Sequence, residues 1–165
     1  MPETIVIAHN IRSTHNVGSI FRTCEGFGVK KIILSGYTPY PKTNNDPRLP
    51  HIAYKLTSQI HKTALGAETM VPFEYQELPD FALLRKDGYT IVGLEQNDRS
   101  VMLPDYHPPK KIALLLGEEV HGLTPELLDE CDELVEIPMK GQKESFNVSV
   151  ATGIALYGII ANSER

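Results

Sequence analysis

Three stretches of this chain set small and polar residues where apolar strands should end. The first is NIRSTHNVGSIFRT, residues 10–23. The second is LLLGEEVHGL, from Leu114 to Leu123. The third is VEIPMKGQKESFNVSVATGIALY, from Val135 to Tyr157, which reads as a strand, a polar loop carrying Gly141, Ser145 and Asn147, and a long apolar helix. Small and polar residues at such places suit a backbone that must pass close to a ligand, and in parallel α/β sheets ligands bind beyond the carboxyl ends of strands. Asn16 and Arg22 lie six residues apart on the helix expected there. Six residues advance a helix by about 600°, roughly 120° short of two turns, so the two side chains do not stack on one face. Taken singly, Asn16 could equally cap a helix and Arg22 could pair on the surface.

Several chemistries are excluded by what is missing. No G-x-G-x-x-G follows the first strand and there is no G-x-x-x-x-G-K-[ST], which disfavours dinucleotide dehydrogenases and P-loop enzymes. No H-E-x-x-H helix and no G-x-S-x-G elbow occurs, and the six histidines are scattered. No metal is therefore expected. Cys24 and Cys131 are isolated and read as small buried hydrophobes rather than a disulfide pair, so a reducing cytoplasm is the expected setting.

The elements that must position these residues follow from periodicity. Apolar runs at Thr4–Ala8, Lys31–Leu34, Thr90–Glu95, Lys111–Leu116 and Leu134–Met139 predict strands, with a weaker one at Met70–Tyr75. Val17, Ile20, Phe21, Cys24 and Phe27 mark one face of a helix, with Thr14 as its expected N-cap and Gly28 as the residue that ends it. Further helices are expected at Ala53–Ala67, Pro79–Asp87, Pro125–Cys131 and Asn147–Asn162. Residues 35–50, with four prolines, and 97–109 are expected to be loops. Strands alternating with helices predict a single α/β domain with a mostly parallel sheet and helices on both faces. At 165 residues the chain suits one domain, and no apolar run is long enough to span a bilayer, so no membrane partner is expected. The net charge of −5 is divided unevenly: residues 1–62 carry +5 and the remainder −10, so a basic N-terminal part could steer a polyanion to one surface.

As a set, Asn10, Arg12, Asn16, Gly18 and Arg22, then LLLGEEVHGL, then IPMKGQKESFNVSVA, resemble the three motifs of the SpoU/TrmH branch of the SPOUT RNA methyltransferases, in the right order and over nearly the whole chain. The resemblance implies an α/β domain with a C-terminal trefoil knot that gathers the strand-end loops into a pocket for S-adenosyl-L-methionine. It implies cofactor contacts from Leu94, Glu95, Leu116, Gly117, Glu118, Ile137, Met139 and Phe146. Family members usually carry Leu where this chain has Phe146, which is expected to reshape the adenine wall only. Arg22 is implied as the central catalytic residue, assisted by Asn16, Ser145, Asn147 and the motif acid Glu119. The implied reaction is methyl transfer to a ribose 2′-hydroxyl of RNA, with tRNA favoured over rRNA, by a homodimer whose last helix joins the subunits. Because the chain is expected to comprise the catalytic core alone, RNA contacts are expected from Arg12, Lys42, Arg48, Lys55 and Lys62, with His51, Tyr40 and Tyr54 as stacking partners. The alternative is a non-catalytic RNA-binding or assembly protein that keeps the fold.

Overall fold

The structure, a computed structural model, describes residues 1–164. Its centre is a seven-stranded sheet in which every strand pair is parallel, in the order β3-β2-β1-β6-β4-β7-β5. The strands are β1 (Glu3–His9), β2 (Lys31–Ser35), β3 (Phe73–Gln76), β4 (Thr90–Leu94), β5 (Val101–Met102), β6 (Lys111–Leu116) and β7 (Glu133–Glu136). The helices are α1 (Thr14–Gly26), α2 (Pro50–Ala64), α3 (Phe81–Lys86), α4 (Pro125–Glu130) and α5 (Val148–Ser163). A sheet covered on both faces needs apolar residues at successive positions rather than alternate ones. β1 and β6 meet that demand: Ile5 to Ala8 and Ile112 to Leu116 are all buried.

The two faces carry different covers. Val6, Ala8, Ile32, Leu34 and Leu114 pack under α1, α2 and α5, against Val17, Phe21, Ile60, Ala155 and Ile159. Ile5, Ile7, Ile33, Ile91 and Leu115 pack on the other side, under the short helices α3 and α4, against Leu84 and Leu127.

The expected elements are present, with instructive differences. Ser13, not Thr14, caps α1: its side chain accepts the Asn16 N–H at 3.2 Å. Gly28 ends that helix at φ +64° as expected. α2 begins at Pro50 rather than Ala53, because proline at the first helical position forfeits only an N–H that no carbonyl would have received. Residues 97–109 are not wholly loop. They hold the two-residue edge strand β5 and a 3-10 turn at Leu103–Asp105, both too short to print a period on the sequence. β7 stops at Glu136, so Ile137 to Met139 are irregular.

β7 lies between β4 and β5, two strands already joined by residues 95–100. The chain leaving β7 must therefore run past that connection, a passage that ordinary sheet topologies avoid.

α1 and α2 touch almost backbone to backbone at Gly18. A Cβ there would stand 2.1 Å from Thr63 Oγ1 and 2.3 Å from the Ile60 carbonyl oxygen. Thr63 cannot easily turn away, since its hydroxyl donates to the His15 carbonyl at 2.8 Å. We expect Gly18→Ala to destabilise the fold by about 1–3 kcal/mol through forced separation of the two helices, read as a lowered urea midpoint.

Candidate functional site

The carboxyl ends of β4, β6 and β7 open on a cleft with about 680 Å³ of space, part of it continuous with solvent. Leu94, Glu95 and Gln96 line it from the end of β4, and Leu116 to Glu119 with Gly122 from the end of β6. Ile137, Met139, Ser145 and Phe146 line it after β7, and Val148 and Ala151 from the first turn of α5. All eight positions expected to border a cofactor are among these, drawn from three separate parts of the chain. Gln96, Gly122, Val148 and Ala151 were not anticipated.

The turn after β6 is built without slack. The Glu118 N–H donates to the Gly122 carbonyl at 3.1 Å and the Gly122 N–H returns to the Glu118 carbonyl at 2.9 Å. Gly117 packs so closely on Gly122 that a Cβ would meet its carbonyl carbon at 2.4 Å. Gly122 takes φ +66°, a conformation that side chains disfavour. The Glu95 carboxylate holds the turn from beneath, accepting the Leu123 N–H at 2.7 Å and its neighbour Gln96 N–H at 2.9 Å. Glu95 thus shapes the cleft by gripping backbone.

Glu119 gathers the beginning of α1. Oε2 accepts the Arg12 N–H at 3.2 Å; Oε1 accepts the Ser13 N–H at 3.2 Å and the Asn16 side-chain amide at 3.3 Å. Burial works against ionisation of this carboxyl, but those donors together outweigh it and hold its pKa below the usual carboxylate range. From Asn16 the network continues: Asn16 Oδ1 accepts from Asn147 Nδ2 at 3.2 Å. Asn147 is the N-cap of α5, its Oδ1 accepting the Ser149 N–H at 3.0 Å. Asn16 is therefore a bridge and not a cap. Three of the five residues expected to be catalytic form one bonded chain, Glu119–Asn16–Asn147. A fourth, Ser145, lines the cleft. Its loop is tied down by Gln96 Nε2, which donates to the Glu144 carbonyl at 2.7 Å.

Arg22 stands apart. It is exposed on α1, about 9 Å farther along the axis than Asn16 by helical rise, and it does not line the cleft of its own chain. It takes part in none of the ion pairs among the described residues.

The basic set divides. Arg12, Lys55 and Lys62 are exposed. Lys42 reaches the Tyr54 hydroxyl at 3.2 Å and lies 4.4 Å from its ring centroid. Arg48 requires a correction. Its guanidinium bonds Asp46 Oδ2 at 2.6 Å, the Tyr40 carbonyl at 2.8 Å and the Pro41 carbonyl at 3.2 Å, and sits 3.5 Å from the Tyr40 ring centroid. Arg48 is an internal strut of the 36–49 loop, with its donors spent inside the protein. Tyr40 is corrected with it: buried, with Arg48 near its ring and Tyr75 stacked on it at 4.4 Å, it has no face for a base.

A parallel sheet with a cleft at its carboxyl ends, bordered by the cap of α5 and the tight turn after β6, defines an α/β protein with a polar network beside its cleft. The SpoU rRNA Methylase family model matches residues 3–157, and the chain belongs to that family. Family membership implies the trefoil knot. The chain is 32% identical over 162 residues to a 23S rRNA (guanosine-2′-O-)-methyltransferase of Coxiella burnetii, covering 96% of this chain and 58% of that protein. It is also 32% identical over 155 residues to a tRNA (guanosine(18)-2′-O)-methyltransferase of Aquifex aeolicus, covering 94% of this chain and 67% of that protein. Among solved structures it resembles the AdoMet-bound rRNA methyltransferase from Sinorhizobium meliloti, with TM-score 0.79 and 28% identity over 96% of this chain and 56% of that one. The chain thus spans little more than half of the first of these curated relatives.

Because Glu119 ionises more readily folded than unfolded, it stabilises the protein above the ordinary carboxylate range, and that contribution is lost as pH falls through its lowered folded value. Glu119→Gln should lower unfolding free energy by about 1–2 kcal/mol near neutrality. The gap between variant and wild type should close as pH drops below about 4, as measured by urea titrations across that range.

Proposed function

We propose that the chain is an S-adenosyl-L-methionine-dependent RNA methyltransferase acting on a ribose 2′-hydroxyl. The observation that carries this reading is the bonded chain Glu119–Asn16–Asn147 running beside a cleft that all eight expected cofactor positions line. The cleft's chemistry suits the cofactor: Leu94, Leu116, Ile137, Met139 and Phe146 offer apolar walls for an adenine, while Gly117 lets backbone groups approach closely. When bound, S-adenosyl-L-methionine supplies an electrophilic methyl group on a sulfonium. The protein's share of the work is to hold the ribose hydroxyl in line and to manage its proton and developing charge.

Ser145 and Asn147 are proposed to orient the ribose, and Asn16, which accepts from the Asn147 side chain at 3.2 Å, to keep Asn147 in position. Arg22 is proposed to bind the target phosphate and to stabilise alkoxide charge. A guanidinium holds its proton too firmly to be a good general base and is a good bidentate anion ligand. Its place outside the cleft of its own chain favours a site shared across a homodimer. The surface of α5 supports the same arrangement, since Val150 and Tyr157 are exposed there. tRNA is proposed over rRNA from the resemblance alone; at 32% identity each, the relatives divide between the two.

Titration with S-adenosyl-L-methionine should give saturable binding, and its absence at physiological concentrations would return the chain to the non-catalytic reading. Arg22→Lys should reduce the rate of the chemical step by about a hundredfold or more with its pH profile unchanged. A displaced profile would assign proton removal to Arg22. Light scattering at micromolar concentration should report twice the chain mass, and a monomer would remove the shared site. Mapping of 2′-O-methyl groups in tRNA and rRNA from a deletion strain, with restoration by purified protein, identifies the substrate.

A further inference from the structure

One group beside the cleft has no part in the chemistry above. Tyr37 follows β2 and is 51% exposed, yet the backbone beneath it is fixed. Its N–H donates to Asn10 Oδ1 at 3.1 Å. The next residue, Thr38, is buried, its hydroxyl donating to the Ala8 carbonyl at 2.9 Å while accepting the Ile11 N–H at 3.0 Å. An aromatic ring is thus held out to solvent on a rigid base, where burial of the side chain does not account for it.

Its surroundings are charged. Asn10, which holds the Tyr37 N–H, lies two residues before Arg12, and the Tyr37 side chain is near enough to Glu118 and Arg12 for both to bear on its hydroxyl. Its acidity is weakened by partial desolvation first and by Glu118 next, against the pull of Arg12, so the phenol keeps its proton at neutral pH. Glu118 lines the cleft, and Arg12 is fixed to the same turn through its N–H to Glu119 Oε2 at 3.2 Å. The tyrosines nearest it in the chain are less available: Tyr40 stacks on Tyr75, and Tyr54 carries Lys42.

We infer that Tyr37, Arg12 and Glu118 form a nucleotide subsite at the mouth of the cleft, in which the Tyr37 ring stacks on an unpaired RNA base and Arg12 takes a neighbouring phosphate while Glu118 orients both. The inference rests on the RNA methyltransferase reading and deepens it: the substrate presents an unstacked nucleotide rather than a continuous duplex. Every base has a π face, so the subsite favours single-stranded over paired RNA without selecting a base.

The chain contains no tryptophan, so Tyr37→Trp places its only indole at the subsite. The emission of that variant should be quenched saturably by a short single-stranded oligoadenylate and not by a blunt RNA duplex at the same ionic strength. Tyr37→Leu should weaken oligoadenylate binding about tenfold, and Tyr37→Phe should stay within about twofold of wild type. Both should bind S-adenosyl-L-methionine as wild type does. Emission of the Tyr37→Trp variant that oligoadenylate leaves unquenched, equal quenching by the duplex, or oligoadenylate binding by Tyr37→Leu at wild-type strength overturns the subsite. A wild-type protein that fails to bind S-adenosyl-L-methionine overturns the methyltransferase reading instead, so the two failures are distinguishable.

Discussion

The arrangement of this molecule depends on one carboxylate. Glu119, in the turn after β6, receives two backbone N–H groups from the approach to α1 and the side-chain amide of Asn16. These bonds join parts of the chain more than a hundred residues apart, and they couple three parts of the cleft's surroundings. The turn forms one wall of the cleft, the start of α1 carries Asn16 and Arg12, and Asn16 in turn holds the N-cap of α5. A half-buried carboxylate is costly to leave unpaired, and here several donors offset the cost of its burial, so the carboxylate stays ionised and the register of turn against helix is set.

A second constraint keeps the loops from behaving as loops. Residues 36–49 are long and proline-rich but anchored at both ends. Thr38 bridges Ala8 and Ile11 near one end, and the Arg48–Asp46 pair draws Tyr40 and Pro41 inward near the other. The 140–147 loop is fastened more lightly, by Gln96 on Glu144 and by Asn147 on Asn16. The cleft's surroundings therefore combine a loop after β2 bonded at several points with a loop after β7 that carries fewer such bonds.

Much of the fold was legible in the residues because burial writes itself along the chain. Strands covered on both faces demand consecutive apolar residues, and α1 and α4 show their period and their end signals within a short stretch of sequence. The lining of the cleft was legible through the order of its three motifs. What escaped was either too short for a pattern, as with β5, or a matter of partners. Arg48 and Asp46 are two residues apart and look like any pair of surface charges, yet the fold of the loop turns them inward and covers Tyr40. Tyr37, two residues after the end of β2, carries no pattern at all, and its exposure follows only from the locking of Thr38 beneath it.

The residues alone determined the α/β class, the strand and helix sequence, and which side chains could line a site. Each of those follows from local hydrophobic period, turn chemistry and motif order. Tertiary structure decided which polar groups meet. It set Asn16 between Glu119 and Asn147, spent the donors of Arg48 inside its own loop, and left Arg22 outside the cleft. The reason is geometric. A hydrogen bond between groups far apart in the chain depends on how the strands register and how helices seat on the sheet, and neither choice is encoded in the neighbours of either residue.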